Sequence, residues 1–371
     1  MNIYIKIGNK LIGEGEPCFI IAEAGVNHNG SVELAKKLID AAKDAGADAV
    51  KFQTFKAEEV VTSNAEMDTY QKENIGKEMT QLEMLKELEL SYDDFKELKK
   101  YCDEKRIIFL STPHSESAID FLEPLVPVYK IESGDITNHP RLEKIARKGK
   151  PVILSTGMST LNEVKEALQV IKNQGNNQII ILHCTSNYPC PLDEVNLKAM
   201  QTMEKELNCL VGYSDHTLRI TVPIAAVALG AVVIEKHFTL DKNMPGPDHK
   251  ASLEPSELRD MVYSIRNVEE QLKKGEKAEG ILKKIPNIKK ILGDGIKKPT
   301  QSEEEIKKTS RKSIVARVDI SKESVITADM LTIKRPGVGI EPKNKNINKL
   351  IGKKAKRDIA KDTVLSWDMF R

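Results

Sequence analysis

The sequence lacks long apolar runs and any strong excess of charge, and each shortage excludes a class of protein. No stretch approaches the ~18 consecutive apolar residues that a membrane-spanning helix needs. Its 57 lysines and arginines nearly balance 55 acidic residues, which leaves a net charge of +2. Because so small a charge produces no broad field for nucleic acid or anionic lipid, we expect neither as a partner.

Cysteines are few and scattered, and the sequence begins without the features of a secretory leader. The five cysteines are odd in number and form no CxxC pair, so they indicate neither a disulfide framework nor a zinc knuckle. The first residues, MNIYIKIGNK, lack a charged start followed by an apolar segment. We therefore expect a cytoplasmic protein.

A repeating pattern occupies residues 18–237. The composition, 40% hydrophobic and 30% charged over 371 residues, supports a large core domain and a smaller second one. Short apolar, β-branched runs without alternation recur, which is typical of parallel strands covered on both faces. The runs are Phe19–Ala24, Ala47–Gln53, Ile107–Ser111, Val128–Ile131, Val152–Ser155, Ile179–His183, Leu210–Ser214 and Val232–Lys236.

Segments of helical periodicity separate most of these strands. Segment 32–45 has an apolar side and ends before Gly46, a residue that favours helix termination. Segments 92–105 and 161–173 each follow a serine or threonine with an acidic residue three positions later, as in a capping box. Eight strands alternating with helices predict a (β/α)8 barrel of the TIM type. An open doubly wound sheet is the alternative, which the strand count disfavours.

The C-terminal part departs from this pattern. Residues 273–310 are rich in lysine, glutamate, proline and glycine, and we interpret them as a linker with one short helix. Segment 319–330 is then echoed by segment 358–369 with six identical positions, which indicates a small pseudo-symmetric domain. The expected organisation is a barrel over residues 1–280, a linker over 281–310 and a small domain over 311–371.

Ionisable and hydroxyl side chains follow the predicted strands, where the active site of a barrel is built. Lys51 and Lys130 offer point charges for an anion, and nearby serines offer directional hydrogen bonds. These lysines, with Ser133, Ser155 and Ser214, predict a phosphate or carboxylate site. The alternative is a set of salt bridges at the barrel rim.

Two histidines at neighbouring strand ends predict a metal site. His216 and His237 are too far apart in sequence to share one helical turn, but they follow strands that are adjacent in a barrel. Such a pair can hold a divalent ion of the Mn²⁺, Co²⁺ or Mg²⁺ kind and leave positions open. Glu23 ends the first strand and either moves a proton and steadies a cation, or pairs with Lys51, or does both.

Nine ordered motifs resemble those of the sialic acid synthase (N-acetylneuraminate synthase) family. They are IAEAGVNHNG, VKFQTF, FLSTP, YKIESGD, PVILSTGMS, LHCTSNYP, GYSDHT, EKHFTLD and MPGPDHKASLEP. The segment around Arg335 resembles the C-terminal antifreeze-like (SAF, β-clip-type) domain of that family. The resemblance covers nearly the whole chain.

The resemblance implies an enzyme that condenses phosphoenolpyruvate with open-chain N-acetylmannosamine, releases phosphate by C–O cleavage and forms N-acetylneuraminic acid. It further implies a domain-swapped homodimer in which Arg335 enters the partner's site, and Mn²⁺ as the metal. The implied site comprises catalytic Glu23, Lys51 and Lys130; phosphoenolpyruvate contacts Lys51, Gln53, Lys130, Ser133, Ser155, Ser186 and Ser214; sugar contacts Tyr188, Asp248 and Arg335; and metal ligands His216 and His237.

Three alternatives to this reaction stay open at this stage. The acceptor sugar could be one that gives legionaminic or pseudaminic acid, or it could carry a 6-phosphate. A non-catalytic sugar-binding or ice-binding protein is a further reading, although the charged C-terminal sequence lacks a flat threonine-rich face. One departure from the family also bears on the site: Ser186 stands directly after Cys184-Thr185, where some members have asparagine, and Asn187 follows it.

Overall fold

The eight predicted strands form a parallel, nearly closed barrel, preceded by an N-terminal hairpin. The computed structural model describes residues 3–371. Its strands are β1 (Tyr4–Ile7), β2 (Lys10–Gly13), β3 (Phe19–Gly25), β4 (Ala49–Thr54), β5 (Ile108–Pro113), β6 (Tyr129–Ile131), β7 (Val152–Ser155), β8 (Ile179–Cys184), β9 (Leu210–Asp215), β10 (Val233–His237), β11 (Ser313–Ala316) and β12 (Leu331–Lys334). Hydrogen bonds run in the order β5-β4-β3-β10-β9-β8-β7-β6, and β5 and β6 lie side by side at the seam. The predicted (β/α)8 barrel is confirmed.

Helices cover the outside of the barrel and the mouth at its carboxyl end. They are α1 (Val32–Asp44), α2 (Ala57–Val60), α3 (Thr69–Ile75), α4 (Gln81–Leu88), α5 (Tyr92–Lys105), α6 (Glu116–Leu122), α7 (His139–Arg147), α8 (Leu161–Lys172), α9 (Lys198–Leu207), α10 (Thr221–Ala228), α11 (Pro255–Lys273), α12 (Ala278–Lys283), α13 (Ile288–Leu292), α14 (Glu303–Ser310) and α15 (Asn344–Leu350). Ser91 and Thr160 cap α5 and α8 through the predicted capping boxes. Over residues 3–371, no helix is both long and apolar enough to cross a membrane.

The barrel interior changes from apolar to polar along each strand. Because side chains alternate between the two faces of a strand, every second residue points inward. On β4, Ala49 lies in the apolar interior and Lys51 follows two residues later; on β10, Val233 is followed in the same way by Glu235. These inward apolar side chains form a plug inside the barrel. The hairpin β1–β2 closes the opposite, amino-terminal end with isoleucine side chains that pack under this plug. The polar layer therefore sits at the carboxyl end, on a rigid apolar base.

The segment read as a linker contains three helices, α12, α13 and α14, where one was expected. Ile281, Ile291 and Ile306 are buried, so each short helix packs through only one or two apolar side chains. Because these few positions lie in a lysine-rich background, no clear helical period was visible in the sequence. The expectation of a single short helix was therefore wrong.

The C-terminal domain has an internal pseudo-two-fold arrangement that matches the sequence repeat. Ile320 pairs with Ile359, the same position in the two copies. The Lys322 N–H donates to Asp358 at 2.7 Å and the Lys361 N–H donates to Asp319 at 2.6 Å, so the contacts are reciprocal. The domain packs over the mouth of the barrel with its own apolar core.

Candidate active site

One pocket at the carboxyl end of the barrel contains every side chain that the sequence singled out. Its walls are the strand ends, the segment α2–α4, the loop before α11, and the linker with the C-terminal domain. The thirteen predicted residues that line it are Glu23, Lys51, Gln53, Lys130, Ser133, Ser155, Ser186, Tyr188, Ser214, His216, His237, Asp248 and Arg335. Asn187 is not among the lining residues, so Ser186 is the residue after Thr185 that faces the pocket. The structure brings the set together, and the individual roles stay predictions.

Two lysines and two glutamates form a buried ion network on the floor of the pocket. Lys51 Nζ lies 2.6 Å from Glu23 Oε2 and 3.6 Å from Glu235 Oε2. Lys130 Nζ lies 3.4 Å from Glu235 Oε1 and donates to Ser155 Oγ at 2.8 Å. All four side chains are almost fully buried. The expected ion pair between Glu23 and Lys51 is thus present, and Glu235 stands between the lysines.

The pKa values of the network residues shift in different directions. Burial raises the pKa of Glu23, because the opposing charge of Lys51 offsets the desolvation only in part. Burial also lowers the pKa of Lys130, and Glu235 compensates for it incompletely. For Lys51 the ion pairs with Glu23 and Glu235 outweigh burial and raise the pKa. Lys51 is therefore held as a cation, while Glu23 is the carboxylate that accepts a proton more readily than usual.

Hydroxyls and a glycine N–H build a polar cradle beside Lys130. The Gly157 N–H donates to Ser133 Oγ at 2.9 Å, and Ser186 lies against the same glycine. A Cβ at residue 157 would overlap Ser186 Oγ and lie 2.9 Å from Ser133 Oγ, so the three groups meet only around a glycine. Small hydroxyls beside a lysine are suited to a phosphate or carboxylate group.

The two histidines lie next to each other with lone pairs available. Their ring centroids are 5.5 Å apart. His216 Nδ1 is 2.7 Å from the Thr185 carbonyl oxygen, to which it donates, so in the neutral ring Nε2 carries the lone pair. Burial alone would lower the pKa of His216, but Cys184 and the Thr185 carbonyl outweigh burial and raise that pKa, so a metal ion would have to displace a proton from this ring. His237 Nδ1 is buried without a hydrogen-bond partner, and Asp248 Oδ2 is 4.0 Å from it.

Electrostatics keep one of these rings neutral, as metal ligation requires. Burial, and then the positive charge of His216 and Lys51, holds the pKa of His237 well below its ordinary value. No group of three or more His, Cys, Asp or Glu side chains within residues 3–371 has the arrangement of a metal cage. The donors present therefore fit a divalent ion held by two imidazoles with its other positions open, and they do not fit a closed structural zinc site.

The opposite side of the pocket is built by the covering segments. Tyr188 packs against the His216 ring at 4.2 Å and against Tyr70 of α3 at 5.1 Å between centroids. Asp248 lies at the same end, where burial and the nearby Glu23 carboxylate raise its pKa to about 7. Aromatic faces beside carboxylates are typical of sugar sites, because a pyranose or open-chain polyol offers both C–H and O–H groups.

Arg335 reaches this side of the pocket from the C-terminal domain of the same chain. Its Nη2 donates to Glu132 Oε2 at 2.8 Å, and its backbone N–H and carbonyl bond to Val60 and Thr62 beside α2. Its buried Nε has no hydrogen-bond partner. The resemblance implied an arginine supplied by a partner subunit; the single chain places its own Arg335 here, and the exchange between subunits stays a prediction.

Several lining residues were not recognised in the sequence. Thr112 accepts a hydrogen bond from Lys51 at 3.1 Å, and His114 lies 3.1 Å from Glu132 inside the pocket. Because side chains alternate along a strand, the residue two positions after an inward apolar residue also points inward, and this rule would have identified Thr112 and Glu235. Asp68 and Tyr70 carry no such signal, because α3, which begins at Thr69, is remote from the strand ends in sequence and meets the pocket only through tertiary packing.

Comparisons with known proteins agree with this architecture. Residues 38–277 match the NeuB family and residues 311–371 match the SAF domain. The N,N'-diacetyllegionaminic acid synthase of Legionella pneumophila is 46% identical over 366 residues, covering 97% of each chain. The N-acetylneuraminate-9-phosphate synthase of Homo sapiens is 39% identical over 364 residues, covering 96% of this chain and 94% of that one. The crystal structure of the spore coat polysaccharide biosynthesis protein SpsE from Bacillus subtilis superposes with a TM-score of 0.83 at 38% identity, covering 100% of this chain and 99% of that one.

Proposed function

The chain belongs to the NeuB family, and on that premise we propose that it condenses phosphoenolpyruvate with the open-chain aldehyde of an unphosphorylated 2-acylamino sugar. The relatives are synthases of nonulosonic acids, so the chain is an enzyme of that kind. The observation that carries the finer proposal is the side-by-side placement of an anion cradle and a histidine pair on one rigid strand layer.

Phosphoenolpyruvate is assigned to the floor of the pocket. Lys51 and Lys130 supply two positive charges to one pocket, which suits a small anion with two or three negative charges. Ser133, Ser155 and Ser214 and the loop at Gly157 supply hydrogen bonds to its phosphate and carboxylate oxygens. A buried floor of this kind excludes water, which strengthens each of these interactions.

His216 and His237 are proposed to hold a divalent metal ion, Mn²⁺ in the first instance, with Co²⁺ or Mg²⁺ as substitutes. When bound, such an ion would act as a Lewis acid on the aldehyde oxygen of the acceptor. The protein's own contribution is to keep both rings correctly oriented. The Thr185 carbonyl fixes the tautomer of His216, and the Tyr188 ring packs against it.

The reaction then forms a C–C bond and a C–O bond and breaks the C–O bond to phosphate. C3 of phosphoenolpyruvate attacks the aldehyde carbon, the aldehyde oxygen takes up a proton to become a hydroxyl, and positive charge develops at C2. We assign the stabilisation of that charge to the Glu23 carboxylate, which lies 2.6 Å from Lys51. Water adds at C2 and gives a proton to a nearby carboxylate, and the C2–O bond to phosphate then breaks to leave the C2 ketone and inorganic phosphate, which carries away the remaining hydroxyl proton. Glu23 is suited to accept the proton that the water gives, since its pKa is raised by burial.

The charge of the pocket favours an acceptor without a phosphate group. Once phosphoenolpyruvate occupies the two floor lysines, Arg335 is the remaining lysine or arginine among the described lining residues, and Glu132 already pairs with it. Five carboxylates face the same space: Glu23, Asp68, Glu132, Glu235 and Asp248. A second phosphate would therefore be repelled, whereas a neutral polyol can donate hydrogen bonds to the acids.

N-acetylmannosamine is the acceptor proposed first, with N-acetylneuraminic acid as the product. The second candidate is a 2,4-diacetamido sugar that gives a legionaminic acid. It is favoured by the 46% identity to a diacetyllegionaminic acid synthase, against 39% to a synthase whose named product is phosphorylated.

Phosphate release from phosphoenolpyruvate tests the proposal. The purified protein with Mn²⁺ is assayed with N-acetylmannosamine, its 6-phosphate and a 2,4-diacetamido mannose, and the products are identified by mass. Release that requires both substrates is expected with one of the free sugars. A protein that binds the sugars but releases no phosphate with any of them would instead support the non-catalytic reading.

A further inference from the structure

A carboxylate of the interdomain linker reaches into the back of the proposed phosphate cradle. Glu303, the first residue of α14, is 1% exposed. Its Oε1 accepts hydrogen bonds from the backbone N–H of Met158 and of Ser186, both at 2.7 Å. Its Oε2 accepts a hydrogen bond at 2.9 Å from the N–H of Thr300, which lies three residues earlier in the linker. One oxygen therefore joins the loop after β7 to the loop after β8.

The backbone at Met158 shows that this loop is held in place. Met158 has φ of +57°, in the left-handed region that residues with a Cβ rarely adopt. Its N–H is bonded to Glu303, and its carbonyl oxygen accepts from Arg311 Nη2 at 2.8 Å. Both backbone groups of the strained residue are thus fixed, the N–H by Glu303 of the linker and the carbonyl by Arg311, the first residue of the C-terminal domain. Conformations of this kind persist only where the surroundings impose them.

The held residue stands next to groups that the proposed function uses. Met158 directly follows Gly157, whose N–H meets Ser133, and Ser186 lies against the same glycine. A rotation of the Met158 peptide would turn the Gly157 region away from Ser133. A shift of the second loop would withdraw the Ser186 hydroxyl. Glu303 itself does not line the pocket, so any effect of it acts through these loops.

We propose that Glu303 is a positioning residue for phosphoenolpyruvate, and that the linker is thereby part of the phosphate cradle. This inference rests on the proposed function, since it concerns the substrate assigned to that cradle. It also couples the two domains: the segment that carries Glu303 and Arg311 leads directly into β11, so docking of the C-terminal domain and affinity for phosphoenolpyruvate depend on each other.

The test compares three variants of one helix in the full-length protein. Glu303→Ala removes both loop contacts and is expected to raise KM for phosphoenolpyruvate by about tenfold or more, with KM for the sugar changed by less than about twofold. Glu303→Gln keeps an oxygen for both loop N–H groups and should restore most of the affinity. Glu304→Ala, on the exposed side of the same helix, is the matched control and should behave like wild type.

A second variant separates positioning from simple support of the fold. Met158→Gly removes the steric cost of the left-handed conformation. If Glu303 acts by imposing that conformation, its loss should raise KM for phosphoenolpyruvate by a smaller factor in the Met158→Gly background than in wild type. Calorimetric titration with phosphoenolpyruvate alone checks the same coupling without turnover, and thermal unfolding verifies that each variant is folded.

The outcomes distinguish this inference from the proposed function. Wild-type protein that releases no phosphate from phosphoenolpyruvate contradicts the proposed function. Active wild-type protein with an unchanged KM for phosphoenolpyruvate in folded Glu303→Ala overturns the positioning role alone. Equal increases of KM in Glu303→Ala and Glu303→Gln would likewise overturn it. Glutamine keeps an oxygen for the two loops but places an NH2 group opposite the Thr300 N–H, so the contact within the linker would then be the one that matters.

Discussion

The floor and the cover of the pocket are built in different ways. The floor consists of side chains at the ends of eight strands, held by a continuous hydrogen-bonded sheet over an apolar plug. The cover consists of α2–α4, the linker and the C-terminal domain, which reach the pocket from segments far apart in the chain. Its contacts are buried ion pairs and single hydrogen bonds, such as Arg335 with Glu132 and Lys312 with Asp135.

This difference separates the two substrates of the proposed reaction. A preorganised floor suits phosphoenolpyruvate, the charged substrate of the proposed reaction, because fixed dipoles and charges need not rearrange as the reaction proceeds. A cover assembled from loops can change with little effect on the barrel, which suits a partner that differs among relatives. Under the proposed function, we therefore expect the cover to decide which sugar is accepted and the floor to carry out the chemistry.

The largest effect is expected on the floor, at Lys130. Lys130→Met removes one positive charge from the phosphate cradle. Lys51 is then the only cation left in the network to balance Glu23 and Glu235. Because the developing charge of phosphoenolpyruvate would lose a preorganised cation in a water-excluded site, kcat/KM for phosphoenolpyruvate should fall by about a thousandfold, or roughly 4 kcal/mol of transition-state stabilisation. Steady-state phosphate release measures it, with the exposed Lys273→Met as the control. A loss of only a few fold would contradict the assignment of the floor.

The second prediction concerns the histidine pair. His237→Ala should reduce turnover by about a hundredfold and abolish the response to added Mn²⁺, because one of two proposed ligands is lost. The melting temperature without metal should stay close to that of wild type. Chelator treatment of wild type should reproduce the loss, and Mn²⁺ should reverse it. Full activity in this variant would remove the metal from the proposal.

A smaller effect, confined to the acceptor, is expected on the cover. Arg335→Ala removes a charged donor whose Nε has no hydrogen-bond partner and should raise KM for the sugar by about tenfold, with KM for phosphoenolpyruvate nearly unchanged. Arg357→Ala, an exposed arginine of the same domain, is the control. Equal effects on both substrates would mean that floor and cover are not separable. Mixing Arg335→Ala with an inactive Lys130→Met protein also tests domain exchange, since restored activity requires a site shared between two chains.

The smallest effect concerns the ion pairs that hold the cover on the barrel. Burial alone would raise the pKa of Asp135, but Arg141 and Lys312 outweigh it and hold that pKa below its ordinary value. The stabilisation is therefore fully present above the unfolded-state value of about 3.9 and is lost as the pH falls through the lower folded value. Between about pH 5 and 8, Asp135 is ionised in both the folded and the unfolded protein, so it should not make the melting temperature depend on pH.

Below about pH 4 the melting temperature should fall, and folded Asp135→Asn should show a shallower fall than wild type. Fluorescence-monitored unfolding across the acid range provides this comparison. Identical slopes in the two proteins would show that Asp135 does not link the domains in the way that its contacts indicate.

Much of the floor could be predicted from the sequence, because its pattern is local. Each strand is a short β-branched run, and the chemistry follows it within two or three residues, as at Lys51 and at Ser155. Side-chain alternation then assigns each residue to the interior or to the outside. The eight predicted strands are present, and the strand-end residues line one pocket: Glu23, Lys51, Lys130, Ser133, Ser155, Ser214, His216 and His237. Gln53, Ser186, Tyr188, Asp248 and Arg335 line it too, but only the family resemblance pointed to them.

The cover was decided only by the tertiary structure. Glu303 and Asp68 carry no local signal that distinguishes them from the many other polar residues of this charged sequence. Met158, which donates to Glu303, is 145 positions away in the sequence, and Thr309, which donates to Asp68, is 241 positions away. The sequence alone determined the barrel, its polar layer and the repeat in the C-terminal domain, because periodicity and strand ends are properties of adjacent residues. Folding decided which distant carboxylate meets which loop, because those hydrogen bonds exist only after the linker has packed against the barrel.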